Sequence, residues 1–241
     1  MSESGVEFAG VSFAIGGKVL LRDVSLRLEP GTVTALLGRS GSGKTTLLRM
    51  VNGLVMPTGG SVSVSGRATT AWDLLALRRG IGYVIQETGL FPHWTVARNV
   101  GLALELVGRE DDARIAELLK LVGLDAELGA RYPWQLSGGQ RQRVGLARAL
   151  AADPSALLMD EPFGALDPMT RAEMQTMVRG LLGRVRKTVL LVTHDLDEAI
   201  YLAQRVVFLD TGSVVADLKS EDVLRSENEY VRRYVAAVHR A

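Results

Sequence analysis

A chain of 241 residues, 47% of them hydrophobic, can bury a substantial core and has the size at which an α/β sheet covered by helices forms one domain. Its 28 basic and 27 acidic residues leave a net charge of +1 with no basic block, which argues against a nucleic-acid partner or an anionic membrane surface. Cysteine is absent, so disulfides and thiolate metal sites are excluded, in keeping with a reducing cytoplasm.

In chain order, the opening Met1-Ser2-Glu3-Ser4-Gly5 has neither a charged n-region nor an apolar h-region, so no secretory leader is expected. No apolar run approaches the roughly 20 residues of a membrane-spanning helix. Residues 6–11, 19–28 and 32–37 are rich in β-branched and aliphatic side chains and predict strands, with turns at Gly16-Gly17 and Glu29-Pro30-Gly31. A helix from Lys44 should stop at Gly53, before a Pro57-Thr58-Gly59-Gly60 turn and an alternating strand over 61–65. From residue 88 to 153 the pattern is mostly helical, with Ile115, Leu118, Leu119 and Val122 as one buried stripe, and this stretch reads as an inserted helical subdomain.

The pattern of a parallel sheet then returns. Residues 156–159, 188–193 and 205–209 are short, nearly continuous apolar runs of the kind found in strands covered on both faces. Between the first two, Asp167 should cap a helix with Pro168 in its first turn, its core face formed by Met174, Met177, Val178, Leu181, Leu182 and Val185. Asp210-Thr211-Gly212 marks a late hairpin into residues 213–216, and Val231, Tyr234, Val235 and Val238 mark a closing amphipathic helix. The expected fold class is α/β: with Gly38 to Thr45, in P-loop spacing, between a strand and a helix, it is a P-loop NTPase core with a mainly parallel sheet, an N-terminal antiparallel β subdomain and the helical insertion. The single domain divides into a core of 1–87 and 154–220, a helical part of 88–153 and a terminal helix in 221–241.

The chemistry begins at Gly38-Arg39-Ser40-Gly41-Ser42-Gly43-Lys44-Thr45, which has the P-loop spacing, follows a predicted strand and opens a predicted helix. Its glycines let successive N–H groups converge on phosphate oxygens, with the positive end of the following helix behind them. Lys44 is placed to reach the β- and γ-phosphates and the Thr45 hydroxyl to ligate Mg2+. Farther on, the apolar run 156–159 ends in Asp160-Glu161, where the first carboxylate suits Mg2+, directly or through water, and the second suits a general base for the attacking water. His194 follows a predicted strand at the edge where α/β sheets collect ligands, and is read as contacting the γ-phosphate and sensing hydrolysis. Gln86 stands at the end of another strand, as a candidate for the metal or the water or as a plain solvent-facing amide.

Leu136-Ser137-Gly138-Gly139-Gln140 belongs to neither half of this phosphate machinery. Together with the P-loop, Gln86, Asp160-Glu161, Ala165-Leu166-Asp167 and His194, in this order and spacing, it makes almost the whole chain resemble the nucleotide-binding subunit of an ATP-binding cassette (ABC) transporter. The resemblance implies ATP and Mg2+ as ligands and a homodimer across two ATP molecules, in which Ser137, Gly138 and Gly139 of one copy meet the γ-phosphate held by the other. It implies Glu161, His194, Gln86 and Lys44 as catalytic and Thr45, Gln86 and Asp160 as metal ligands. Nucleotide contacts are implied for Ile15, Gly38, Arg39, Ser40, Gly41, Ser42, Gly43, Lys44, Thr45, Thr46, Ser137, Gly138, Gly139, Gln140 and Asp167. It further implies integral membrane permease subunits, indirectly a substrate-binding protein, no nucleic acid, and a peripheral place on the cytoplasmic face of the inner membrane.

Gln86-Glu87-Thr88-Gly89-Leu90-Phe91-Pro92-His93-Trp94-Thr95-Val96 and Arg131-Tyr132-Pro133 resemble bacterial importers of osmoprotectants such as glycine betaine, choline or carnitine, although importers of other small polar solutes (amino acids, sulfonates) share much of this text. In that family Phe91, Pro92 and Trp94 would face a coupling helix of the permease; burial of Phe91 and Trp94 in the core is the alternative. Where the family places an aromatic residue to stack on adenine, this chain has Ile15, with Phe13 two positions earlier, so stacking is expected to be weaker. Several osmoprotectant ATPases continue into regulatory modules, whereas this sequence runs to Ala241, so no salt-sensing role is expected of it. A soluble ABC factor acting on DNA or ribosomes would be expected to carry two cassettes and a basic surface, and a P-loop kinase or GTPase would leave residues 136–140 unexplained.

Overall fold

The computed structural model describes residues 5–239. Met1 to Ser4, read above for a leader, and the final Arg240 and Ala241 lie outside the described residues. The chain begins with β1 (Val6–Ile15), β2 (Lys18–Leu28), β3 (Val33–Leu37), α1 (Lys44–Val51), β4 (Gly59–Val64), β5 (Arg67–Ala68) and α2 (Leu74–Arg79). It continues with β6 (Ile81–Val84), α3 (Val96–Glu105), α4 (Asp112–Leu121), α5 (Gly138–Leu150), β7 (Ala156–Asp160) and α6 (Pro168–Val185). The last part holds β8 (Thr188–Thr193), α7 (Leu196–Leu202), β9 (Arg205–Asp210), β10 (Ser213–Lys219) and α8 (Glu229–Val238). These elements pack as two units, one from the residues up to Leu77 with those from Thr188 onward, the other Arg78–Lys187.

In the first unit an antiparallel sheet runs in the order β2-β1-β4-β5. Its first hairpin closes at Gly16 and Gly17, both with positive φ (56° and 77°), the requirement of a two-residue turn that follows the strand twist. A second set of strands lies in the order β10-β9-β3-β8. Every residue of β3 and β8 is buried, which is why both read as runs of β-branched and aliphatic residues with no charge among them. β3 is parallel to β8, with Leu37 opposite Thr193, and parallel to β9, with Leu37 opposite Phe208. The β9–β10 hairpin turns at Thr211 and Gly212, both at positive φ, and extends to Lys219.

The second unit is built on β6 and β7, parallel from Ile81 opposite Ala156 to Val84 opposite Met159. Its helices start on side-chain caps: Thr95 for α3, Asp111 for α4, Ser137 for α5 and Asp167 for α6. In α4 only Leu118 and Leu119 of the stripe are fully buried inside the helix; Ile115 is half-buried, and the buried Val122 is the residue that ends it. On α6 the buried face is Met174, Val178, Leu181 and Leu182, with Met177 and Val185 at its margin. Mainly parallel strands, a separate antiparallel sheet and helices give the α/β fold class expected from the sequence.

Candidate nucleotide-binding site

In the first unit β3 ends at Leu37 and delivers the chain into the glycine loop. A Cβ on Gly38 would lie 2.1 Å from the Leu209 carbonyl oxygen, and one on Gly43 2.7 Å from Leu21 Cδ2, so the loop is seated against neighbours that only glycine permits. At Gly41, by contrast, a Cβ would meet nothing within 4 Å, so that side of the loop opens onto space. α1 follows with no side-chain cap, unlike the six helices that start at Thr95, Asp111, Ser137, Asp167, Asp195 and Asn228, so no capping side chain occupies the helix end that suits an anion. The Ser42 hydroxyl is buried without a hydrogen-bond partner, and the Lys44 ammonium donates to the Gly38 and Arg39 carbonyls at 2.7 and 2.9 Å. An open cradle, an orphaned hydroxyl and a cation at its mouth fit a polyphosphate.

Because Leu37 and Thr193 are register partners on parallel strands, Gly38 and His194 leave the sheet side by side. His194 is exposed. Asp195 next to it caps α7, accepting from Glu198 N–H at 3.0 Å, while its own N–H donates to the Thr193 hydroxyl. This edge, where parallel strands end, is where ligands gather in α/β folds. Ile15, at the exposed tip of the first hairpin, is 63% accessible.

The second unit repeats that logic with β6 and β7. Gln86 lies just beyond β6 and is exposed; Asp160 ends β7 and is buried, receiving a long hydrogen bond from the Tyr83 hydroxyl at 3.4 Å. Glu161 follows at φ 45°, a left-handed conformation that turns the chain sharply off the strand. Among the described residues no cluster of three or more His, Cys, Asp or Glu exists. Asp160, a buried carboxylate at the end of a strand, has the oxygen-donor chemistry that Mg2+ takes.

Ser137 caps α5 in a reciprocal box: its hydroxyl accepts from Gln140 N–H at 3.2 Å and Gln140 Oε1 accepts from Ser137 N–H at 2.9 Å. Accepting that bond leaves the Ser137 hydroxyl hydrogen free to donate, and Ser137 and Gly138 are exposed. Gly139 is fixed by packing, since a Cβ there would come 2.6 Å from Thr170 Cγ2 at the start of α6. Asp167 caps that helix, and hydrogen bonds from the Thr170 side chain and N–H hold its carboxyl below the usual carboxylate range.

With this geometry in view, the chain matches the ABC transporter family over residues 21–164. It belongs to that family. Among relatives, it is 48% identical to the glycine betaine uptake system ATP-binding protein YehX of Escherichia coli (strain K12), covering 95% of this chain and 76% of that one. It is 45% identical to the choline transport ATP-binding protein OpuBA of Bacillus subtilis (strain 168), with 91% and 59% covered. The Fe(3+) ions import ATP-binding protein FbpC 2 of Rhodococcus jostii (strain RHA1) is 49% identical, with 86% and 60% covered. The chain thus spans about three-fifths of the length of the last two. Among solved structures, a dimeric post-hydrolysis state of the ATP-binding cassette MJ0796 bound to ADP and Pi has a TM-score of 0.79 at 34% identity, covering 89% of this chain and 98% of that one.

Several contacts of this ABC cassette escaped the sequence reading. Gly212, read only as a turn residue, donates its N–H to the Ser42 carbonyl at 3.1 Å and accepts from Arg22 N–H at 2.8 Å, which anchors the glycine loop to β2. Arg148, late in α5, donates to the carbonyls of Gly89 and Thr88 at 2.7 and 2.9 Å and so ties that helix to the chain beyond Gln86; burial lowers its guanidinium pKa. A charge inside the apolar run 146–150 was the signal for it. Asn99, fully buried, accepts from Phe91 N–H and donates to the carbonyls of Phe91, Trp94 and Thr95. The loop it fixes carries Phe91 and Trp94 with ring centroids 4.3 Å apart, Phe91 and Pro92 exposed and Trp94 half-buried, so neither ring is a plain core residue.

Proposed function

We propose that this chain is the ATP-hydrolysing subunit of an importer for a small solute, acting as a head-to-tail homodimer on integral membrane permease subunits that a substrate-binding protein supplies. The observation that carries the reading is the open, uncapped start of α1 behind the glycine loop, with His194 one residue past the strand paired to β3. Backbone N–H groups of residues 38–46 and the Lys44 ammonium bind and orient the triphosphate. Ile15 lies against the base without a π-face, and Asp167 steadies the loop before α6. Thr45, Gln86 and Asp160 would hold Mg2+, which would supply the positive charge that a leaving diphosphate needs.

Glu161 takes the proton from the attacking water, and His194 and Gln86 orient the γ-phosphate and that water. Ser137, Gly138 and Gly139 of the second copy donate to the same phosphate, so ATP favours the closed dimer to the extent that these contacts exist only there. The exposed Phe91 and Pro92, backed by Trp94, receive the permease and pass the closure to it. Replacing Glu161→Gln removes the base but keeps a group able to orient water. The variant should bind ATP and accumulate as a dimer in size-exclusion chromatography while its turnover falls by at least about 100-fold. Hydrolysis at the normal rate would remove Glu161 from this role.

For the solute, the names of YehX and OpuBA favour a quaternary-amine osmoprotectant; the Fe(3+)-named relative, equally similar, keeps a different small solute as the second reading. A deletion strain should lose growth at high osmolarity with glycine betaine, choline or carnitine supplied, and regain it with the gene restored. Growth unaffected by the deletion would favour the second reading.

A further inference from the structure

Beyond the P-loop, the edge of the first unit is covered by α8. Val231 is its one fully buried residue, and its two tyrosines meet Phe208 of the sheet edge-on. Phe208 is the β9 residue opposite Leu37, and Leu37 is opposite Thr193, so one row of side-by-side residues precedes Leu209, Gly38 and His194. Tyr234 packs edge-on against Phe208, ring centroids 5.6 Å apart at 75°, and its hydroxyl lies 2.8 Å from the His194 carbonyl oxygen, to which it donates. Just past the helix end, His239 Nε2 lies 3.6 Å from Asp197 Oδ1 in the first turn of α7.

We propose that Tyr234 is a positioning residue: by holding the His194 carbonyl it fixes the backbone of that turn, and with it the direction in which the imidazole leaves the sheet. The proposal deepens the reading of His194 as the γ-phosphate contact and rests on it. The peptide between His194 and Asp195 is held at both of its polar groups, its carbonyl by Tyr234 and its N–H by the Thr193 hydroxyl, so the plane that follows the His194 side chain is fixed. Burial, with smaller contributions from Tyr230 and Asp195, pushes the Tyr234 phenol up to about 12, so at neutral pH it keeps its proton and remains a donor. A hydrogen bond to a carbonyl acts through geometry, without touching the nucleotide. It should therefore affect turnover more than ATP binding.

Tyr234→Phe deletes only the hydroxyl and keeps the ring against Phe208, so the fold is retained, which the urea midpoint checks. In the full chain with MgATP, its kcat should fall about 5- to 10-fold, the scale of one lost hydrogen bond, with KM for ATP changed less than about twofold. His194 is one of three histidines, with His93 and His239, so its ring signals can be assigned by substitution and followed by NMR. In Tyr234→Phe these signals should move while those of His93 stay. An unchanged kcat, or His194 signals identical to wild type, would overturn the proposal. The underlying reading is tested separately: His194→Ala hydrolysing ATP at the wild-type rate would remove His194 from the γ-phosphate, whatever Tyr234 does.

Discussion

At Gly212 three separate stretches of chain meet on one residue: its N–H donates to the Ser42 carbonyl in the glycine loop, its carbonyl accepts from the Arg22 N–H in β2, and its φ is 84°. A Cβ there would stand 2.4 Å from the Leu20 carbonyl oxygen, a contact with backbone that no side-chain rotation relieves. Gly212→Ala should therefore cost roughly 1–3 kcal/mol in urea unfolding, the scale of a residue forced into a sparsely populated conformation. It should also raise KM for ATP, because moving the Ser42 carbonyl moves the cradle; a variant with wild-type stability and KM would show that the turn yields without disturbing the loop. Glu161 occupies a left-handed conformation too, but so do Asp23, Ser65, Asp153, Arg186 and Thr211. Its strain alone therefore does not mark a catalytic residue.

At the scale of elements, what was legible in the sequence is what local pattern encodes. β3 and β8 are buried on every residue and so read as runs of β-branched and aliphatic residues; Asp167-Pro168 and the Thr211-Gly212 turn announce where elements start or reverse. The P-loop and residues 136–140 were legible because their glycines and caps have to sit at fixed offsets. What pattern does not encode is which distant backbone a long polar side chain will reach. Arg148 grips residues 88 and 89, Tyr83 reaches Asp160, and Tyr234 holds His194 across 40 positions; each belongs to an element whose period was clear while its partner was not. The stripe over residues 115–122 departs only at Ile115, which is half-buried while Leu118, Leu119 and Val122 are buried, since burial there is decided by what packs on the helix and not by its own period.

For the whole molecule, three routes of attachment to a bilayer can be weighed: a spanning helix, electrostatic attraction to anionic lipid, and a protein partner. Among the described residues no helix is long and apolar enough to cross a membrane. Lipid attraction adds about 1 kcal/mol per basic residue near the surface, and 28 basic against 27 acidic residues without a basic block give it little to work with. The exposed Phe91 and Pro92, on a loop pinned by the buried Asn99, suit the third route. The purified chain should accordingly stay in the supernatant when spun with vesicles rich in phosphatidylserine, even at low salt. It should pellet with membranes when co-expressed with its permease, and lose that association on Asn99→Ala, which frees the loop while leaving the glycine loop untouched. Vesicle binding that disappears as salt is raised would instead assign the attachment to surface charge, because screening within about 10 Å at 0.1 M salt removes an electrostatic contact and spares an apolar one.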